Sequence, residues 1–125
     1  MIDHILMSVS DVERSKKFYE QAFGPLGYKV CFGEEGVFWA FDLGKGVLFE
    51  ICESKHKGPL TSFHVAFRAE SHAKVKAFYD AAIQGGAIDN GKPGARPDYT
   101  ENYFACFVLD PDGHNIEVVY DTWDV

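Results

Sequence analysis

Residues 3–19 read DHILMSVSDVERSKKFY, and a similar pattern returns 60 residues later as FHVAFRAESHAKVKAFY over residues 63–79. The two segments agree in their histidine, aliphatic and basic positions, and each ends in a Phe-Tyr pair. Self-similarity of this kind is typical of a duplicated structural unit. Because the chain holds only two copies, the repeat predicts a pair of modules with approximate two-fold symmetry and excludes a solenoid.

The two copies also end alike, in GVLFEI at residues 46–51 and GHNIEV at residues 113–118. The offset between these ends is 67 residues, so the second copy carries about seven extra residues. They fall most naturally in the Gly- and Pro-rich stretch 91–99, where added loop length costs little. We therefore expect one domain over residues 1–125, with module one at about 1–55 and module two at about 61–121.

Each copy is predicted to form a strand, a helix and three further strands. Residues 2–9 alternate as a strand does, and Ser10 with Glu13 forms a capping box that should begin the first helix. Runs rich in Val, Phe and Tyr predict the other strands, at residues 28–32, 37–43 and 47–52 of the first copy and 86–90, 103–109 and 115–120 of the second. The strand pattern is weakest at 86–90. The predicted fold class is α+β, with two βαβββ modules related by pseudo-two-fold symmetry.

The charge and cysteine content exclude several classes of protein. The chain of 125 residues has 12 Lys and Arg against 19 Asp and Glu, a net charge of −7 that disfavours nucleic acid as a partner. No apolar run is long enough for a membrane span, and the first residues lack the pattern of a signal peptide, so we expect a cytoplasmic protein. Three widely spaced cysteines indicate neither a disulfide framework nor a zinc ribbon.

The repeat places a histidine on the first strand and a glutamate on the last strand of each module, namely His4, Glu50, His64 and Glu117. Strand alternation puts each of these polar residues opposite the large aliphatic side chains. Taken singly, a strand glutamate is usually solvated and a strand histidine usually packs with a hydrogen bond. Recurrence of the pair in both copies favours instead a two-His, two-Glu site for a divalent transition metal ion. The register of Glu50 is open, because Glu53 lies nearby.

These segments, with the closing LDPDGHNIEVV at residues 109–119, resemble the vicinal oxygen chelate superfamily, which includes glyoxalase I, extradiol dioxygenases and bleomycin resistance proteins. The resemblance implies paired βαβββ modules that form a cupped mixed sheet with helices on the outer face. It also implies that His4, Glu50, His64 and Glu117 bind one divalent metal ion per site, Zn, Ni, Co, Mn or Fe. Many members are homodimers, and some build the site across the interface.

In a glyoxalase-like protein this site would act as a lyase or isomerase on a small oxygenated metabolite, through a metal-stabilised enediolate. Glu117 is then the first candidate to move the proton, with Glu50 as its symmetric partner. Ser8 and Ser54 stand where glutathione-using glyoxalases carry Arg and Asn, which argues against a glutathione adduct as substrate. The alternatives are a ring-cleaving Fe(II) dioxygenase that uses His4, His64 and Glu117, and a non-catalytic binding protein.

The Gly- and Pro-rich stretch and the residues after it offer candidate substrate-binding groups in Arg96, Tyr99 and Tyr103. A guanidinium there could pair with a carboxylate or phosphate of the substrate. The alternative is a surface arginine with aromatic residues that pack a loop. Two further histidines, His72 and His114, are expected to be exposed.

Overall fold

A computed structural model of the chain describes residues 2–56 and 63–122. Module one consists of β1 (His4–Val9), α1 (Val12–Phe23), β2 (Lys29–Glu34), β3 (Phe38–Asp42) and β4 (Leu48–Glu53), with a 3-10 turn at Gly24–Leu26. Module two consists of β5 (His64–Arg68), α2 (His72–Gln84), β6 (Ile88–Ala95), β7 (Phe104–Leu109) and β8 (Asn115–Tyr120). The predicted order of a strand, a helix and three strands, repeated once, is confirmed. Neither helix in the described part of the chain has the length and apolar content to cross a bilayer.

The start of α1 differs from the prediction. The N-cap is Asp11, whose carboxylate accepts a hydrogen bond from the backbone N–H of Arg14 at 3.1 Å, so the capping box of Ser10 and Glu13 is wrong. The Glu13 carboxylate instead accepts from the backbone N–H of Gly36 and from the indole N–H of Trp39, both at 2.9 Å. These donors belong to the β2–β3 hairpin, which sequence spacing within the helix cannot reveal.

Two four-stranded mixed sheets carry the two modules. Their strand orders are β1-β4-β3-β2 and β5-β8-β7-β6, so the two sheets have the same topology. The first strand of each module pairs in parallel with the last, and the other pairs are antiparallel. The predicted α+β class with two βαβββ modules is confirmed. Within the described residues the strands form two separate sheets, the first with edge strands β1 and β2 and the second with edge strands β5 and β6.

The two modules share one hydrophobic core on the helix side of both sheets. Phe23 of α1 packs edge-on against Phe49 of β4 and Phe67 of β5, at centroid distances of 5.6 and 5.1 Å. The rings of Phe49 and Phe67 are themselves 5.3 Å apart, so the two sheets meet directly through their helix sides. This packing leaves the other side of each sheet, which we call its open face, outside the core.

A second link between the modules is the turn between β7 and β8. Asp110 is buried and accepts a hydrogen bond from the Tyr19 hydroxyl of α1 at 2.6 Å. His114 is also buried, contrary to the expectation of exposure, and its Nε2 donates to the Ser8 carbonyl of β1 at 2.9 Å. His72 is exposed as expected and stacks on an aromatic ring of β7. The position of His114 depends on contact with the other module, which its own sequence neighbours do not show.

The extra residues of module two extend β6 rather than forming a loop alone. β6 has eight residues, and its pairing with β7 shifts register at two places between Asp89 and Gly94. Gly91 lies in one of these bulges with a φ of 152°, a conformation that side-chain-bearing residues rarely adopt. The insertion therefore widens the edge of the second sheet.

Candidate metal centre

His64 and Glu117 form a close pair on the open face of the second sheet. The parallel register pairs His64 with Asn115 and Ala66 with Glu117, which puts both functional side chains on one face. Their Nε2 and Oε1 atoms are 3.1 Å apart. His64 Nδ1 lies 3.1 Å from the Asn115 carbonyl, and because a carbonyl oxygen can only accept, Nδ1 carries the proton.

This tautomer determines what can bind between His64 and Glu117. A neutral imidazole protonated on Nδ1 turns the lone pair of Nε2 toward the carboxylate of Glu117, so two acceptors face each other. A second proton on the imidazole, or a cation that both atoms ligate, satisfies them. Two ligands bound at about 2.1 Å and at right angles lie about 3 Å apart, which is the spacing observed. The donor set and its spacing fit a divalent transition metal ion.

Glu117 is oriented by Tyr103 and by burial. Only 4 % of Glu117 is exposed, which excludes the simple solvated strand glutamate. The Tyr103 hydroxyl donates to Glu117 Oε2, so one carboxylate oxygen is held while Oε1 faces His64. Burial and the neighbouring carboxylate raise the pKa of Tyr103, which keeps the phenol a donor. The structure thus places this predicted substrate-binding residue against a predicted metal ligand.

His4 and Glu50 occupy the equivalent strand positions on the open face of the first sheet. His4 pairs with Leu48 and Leu6 with Glu50, which repeats the offset seen for His64 and Glu117. Glu53 does not compete for this role, because its carboxylate accepts from the backbone N–H of Val12 at 2.9 Å, at the start of α1.

Unlike the pair of module two, the pair of module one is open. The His4 side chain is 53 % exposed, and its Nδ1 lies 2.7 Å from Asp3 Oδ1. The hydrogen bond to Asp3 and the charge of Glu50 raise the pKa of His4. Within residues 2–56 and 63–122 the Glu50 carboxylate makes no hydrogen bond or ion pair.

The two pairs do not meet within one chain. Among the described residues, no three His, Cys, Asp or Glu side chains are close enough to hold a metal ion together. The reason is the shared core, which joins the sheets by their helix sides and leaves the open faces apart. These faces also carry exposed apolar side chains: Leu6 and Phe32 on the first sheet, at 54 % and 50 % exposure, and Ile88 at the start of β6, at 64 %.

Arg96 and Tyr99 flank the module-two pair. The Arg96 guanidinium lies over the ring of Phe107, 5.6 Å from its centroid, and the same ring stacks against His64 at 6.2 Å. Tyr99 is 60 % exposed and packs edge-on against Tyr103 at 5.0 Å. All three predicted substrate-binding residues therefore lie on the side of module two that carries His64 and Glu117. Phe107 was missed by sequence analysis, although its alternate position on a strand could have placed it on this face.

The family model for the Glyoxalase/Bleomycin resistance protein/Dioxygenase superfamily matches residues 1–118. The chain belongs to this superfamily. One relative in it is the metallothiol transferase FosB of Shouchella clausii, which is 29% identical over 121 residues, covering 94% of this chain and 77% of the relative. A solved glyoxalase/bleomycin resistance protein from Albidiferax ferrireducens has 26% identity and a TM-score of 0.82, with 97% of this chain and 98% of that chain covered.

A lactoylglutathione lyase from Agrobacterium tumefaciens shares the superfamily fold. Its TM-score is 0.73, with 96% of this chain and 92% of that chain covered, and the identity is 17%. At this identity the likeness concerns the fold alone.

Proposed function

We propose that the chain is a metal-dependent enzyme of the superfamily whose site is completed in a homodimer. His4 and Glu50 of one subunit and His64 and Glu117 of the partner subunit would hold one divalent ion. The observation that carries this proposal is the His64–Glu117 pair, in which His64 Nδ1 lies 3.1 Å from the Asn115 carbonyl and Nε2 lies 3.1 Å from Glu117 Oε1. The substrate would be a small oxygenated metabolite.

The proposed homodimer is supported by two equivalent half-sites, His4 with Glu50 and His64 with Glu117. Each open face carries one His and one Glu at the same strand offset. A two-fold axis between subunits would therefore place the His4–Glu50 pair of each subunit against the His64–Glu117 pair of the other, which would give two complete sites per dimer. The exposed Leu6 and Phe32 on the first sheet would be covered by such an arrangement.

The activity proposed is that of a lyase or isomerase. A divalent ion at the site would polarise a substrate carbonyl and stabilise the negative charge that develops on adjacent oxygens. Glu117 is held by Tyr103, whereas the Glu50 carboxylate has no hydrogen-bond partner among the described residues. Of the two carboxylates, Glu50 is therefore the freer one to take a proton from the carbon beside the carbonyl, and Glu117 would keep its position.

Ser8 and Ser54 bear on the substrate. Ser8 is exposed on the open face of the first sheet, and the Ser54 hydroxyl donates to the His56 carbonyl at 3.0 Å. Neither side chain carries the charge or reach of an arginine. This supports a substrate other than a glutathione adduct.

A second candidate is metal-dependent thiol transfer, which the 29% identity to a metallothiol transferase over 94% of the chain favours. The two activities can be separated by their substrates. A lyase or isomerase converts a 2-oxoaldehyde or hydroxycarbonyl compound without consuming a thiol, whereas a transferase consumes one thiol per product. Oxygen uptake with catechols is the assay for the dioxygenase alternative.

Metal analysis tests the proposal. Protein purified without chelator should carry about one divalent ion per chain, since each dimer would hold two sites. His64→Ala and Glu50→Ala should both lose the ion, because one ligand is removed from each half-site. His72→Ala is the matched control, since His72 is exposed and stacks on Phe104 away from the pair. Unchanged metal content in His64→Ala would refute the proposal.

A further inference from the structure

Tyr103, whose hydroxyl binds Glu117, lies outside the strands. It directly precedes β7, and Glu117 pairs with Phe107, four residues further along that strand. Four residues of a strand span about 13 Å. The Tyr103 side chain must therefore extend along the sheet for its hydroxyl to reach Glu117 Oε2. Over that reach, a small rotation of the Tyr103 backbone would carry the hydroxyl away from the carboxylate.

The backbone of Tyr103 is held by the 96–103 loop, which connects β6 to β7. Its N–H donates to the Thr100 carbonyl at 3.3 Å, and its carbonyl accepts from the Arg96 N–H at 2.7 Å. Both partners belong to this loop. The direction in which the Tyr103 side chain leaves the backbone therefore depends on where the loop lies.

Two side-chain hydrogen bonds attach this loop to the residues that follow β8. Thr100 Oγ1 donates to Asp121 Oδ2 at 2.6 Å, and Asn102 Nδ2 donates to Thr122 Oγ1 at 3.1 Å. The first bond has the length of a charge-assisted O–H···O⁻ contact, which is the stronger kind. Because β8 also carries Glu117, the bond to Asp121 ties the loop to the strand that presents this carboxylate.

Asp121 is placed for this contact by the strand pairing. It directly follows Tyr120, which pairs with Phe104, so Asp121 and Tyr103 lie at the same end of the β7–β8 ladder. The Asp121 carbonyl accepts from the Arg68 guanidinium of β5 at 3.3 Å. The backbone of Asp121 is thus held by the module, and its carboxylate is a fixed acceptor for the loop.

We propose that Asp121 is a positioning residue: through Thr100 it fixes the 96–103 loop, and the loop keeps the Tyr103 hydroxyl on Glu117. The inference rests on the proposed function for the role of Glu117 as a metal ligand, whereas the hydrogen bond of Tyr103 requires no metal ion. Asp121 itself contacts neither the ion nor the substrate. Its effect is to restrict the Glu117 carboxylate to one orientation before the ion binds, as partners behind metal ligands do.

The first test is a carbon NMR spectrum of the full chain, isotopically labelled at the tyrosine Cζ atoms and recorded after chelator treatment. The chain has six tyrosines, and the Tyr103 signal is the one that Tyr103→Phe removes. The Cζ shift of a phenol responds to the hydrogen bond that its hydroxyl donates. We expect Asp121→Ala and Thr100→Val to move this signal toward that of Tyr99, which is 60 % exposed. Asp121→Asn keeps an acceptor oxygen for Thr100 and should leave the signal in place.

The second test is metal affinity, measured by competition titration. Asp121→Ala should weaken the affinity by about 3- to 10-fold, the net contribution of one hydrogen bond, and Asp121→Asn should retain most of it. In a Tyr103→Phe background Asp121→Ala should have no further effect, because both substitutions break the same chain of contacts. Glu101→Gln is the matched control, since it removes an exposed negative charge from the same loop, and it should change the affinity less than about twofold.

Three results would overturn the inference. The first is a Tyr103 signal that stays in place in both Asp121→Ala and Thr100→Val. The second is an effect of Asp121→Ala on metal affinity that is as large with Tyr103→Phe as without it. The third is an equal loss in Asp121→Ala and Asp121→Asn, which would indicate the charge of Asp121 rather than its hydrogen bond. Failure of the proposed function gives a different pattern: His64→Ala then keeps the metal content of the unmodified protein, whereas the Tyr103 signal still moves in Asp121→Ala.

Discussion

Tyr19→Phe should destabilise the protein by breaking a buried link between the modules. Tyr19 is fully buried, and its hydroxyl donates at 2.6 Å to Asp110, which is 4 % exposed. Phenylalanine keeps the ring and its edge-on contact with Phe49, so only the hydrogen bond is lost. A bond to a charged acceptor contributes about 1.5–3 kcal/mol to stability. For a domain of this size that corresponds to a fall in Tm of roughly 5–10 °C.

The pH dependence of that loss gives a second check. Burial raises the pKa of Asp110, and the Tyr19 hydroxyl lowers it, so removal of the hydroxyl raises it further. A carboxyl group whose pKa is higher in the folded than in the unfolded state stabilises the fold at pH values below its unfolded-state pKa. This contribution is lost as the pH rises through the folded-state pKa. The destabilisation by Tyr19→Phe should therefore be larger at pH 7 than at pH 4.

Urea unfolding at the two pH values measures both effects. The matched control is Tyr79→Phe, the repeat-related tyrosine, whose hydroxyl interacts with the exposed Asp89. It should change the free energy of unfolding much less. Equal losses in the two variants, or a loss from Tyr19→Phe that is greater at pH 4, would refute this account of the link.

Two further predictions concern the site and a buried thiol. Tyr103→Phe removes the donor to Glu117 Oε2 and should weaken metal affinity by about 10- to 100-fold in a competition titration. Tyr99→Phe is the control and should leave the metal affinity unchanged. Equal effects of the two substitutions would contradict a positioning role for Tyr103. Burial raises the pKa of Cys106 to about 12, whereas Cys31 is exposed. In the folded protein at pH 8 a disulfide reagent should therefore modify Cys31 and leave Cys106 unmodified. Rapid reaction of both cysteines would show that the core opens.

The half-sites could be predicted from the sequence because strand geometry is local. Once the repeat aligns His4 with His64 and Glu50 with Glu117, alternation along a strand fixes the face of each side chain. The parallel pairing of first and last strands then sets the same offset in both modules. The prediction of one helix in each module is also confirmed, and each helix buries one stripe of apolar residues.

The arrangement of the two modules could not be predicted in this way. An amphipathic helix is buried equally well by a core between modules of one chain or by another packing, so its pattern does not choose between them. The capping box at Ser10 and Glu13 failed for a similar reason, because the donors that bind Glu13 lie in the β2–β3 hairpin. His114 was misplaced because its partner is the Ser8 carbonyl of the other module. Each error involves a contact distant in sequence.

The most direct test of the central claim is subunit complementation. One chain carries His4→Ala with Glu50→Ala, the other carries His64→Ala with Glu117→Ala, and each alone should bind no metal. Unfolded together and refolded at equal concentration, they should recover about a quarter of the metal content of the unmodified protein, because half of the dimers are mixed and each mixed dimer has one intact site. A refolded mixture that forms mixed dimers and still binds no metal would contradict a site shared between subunits.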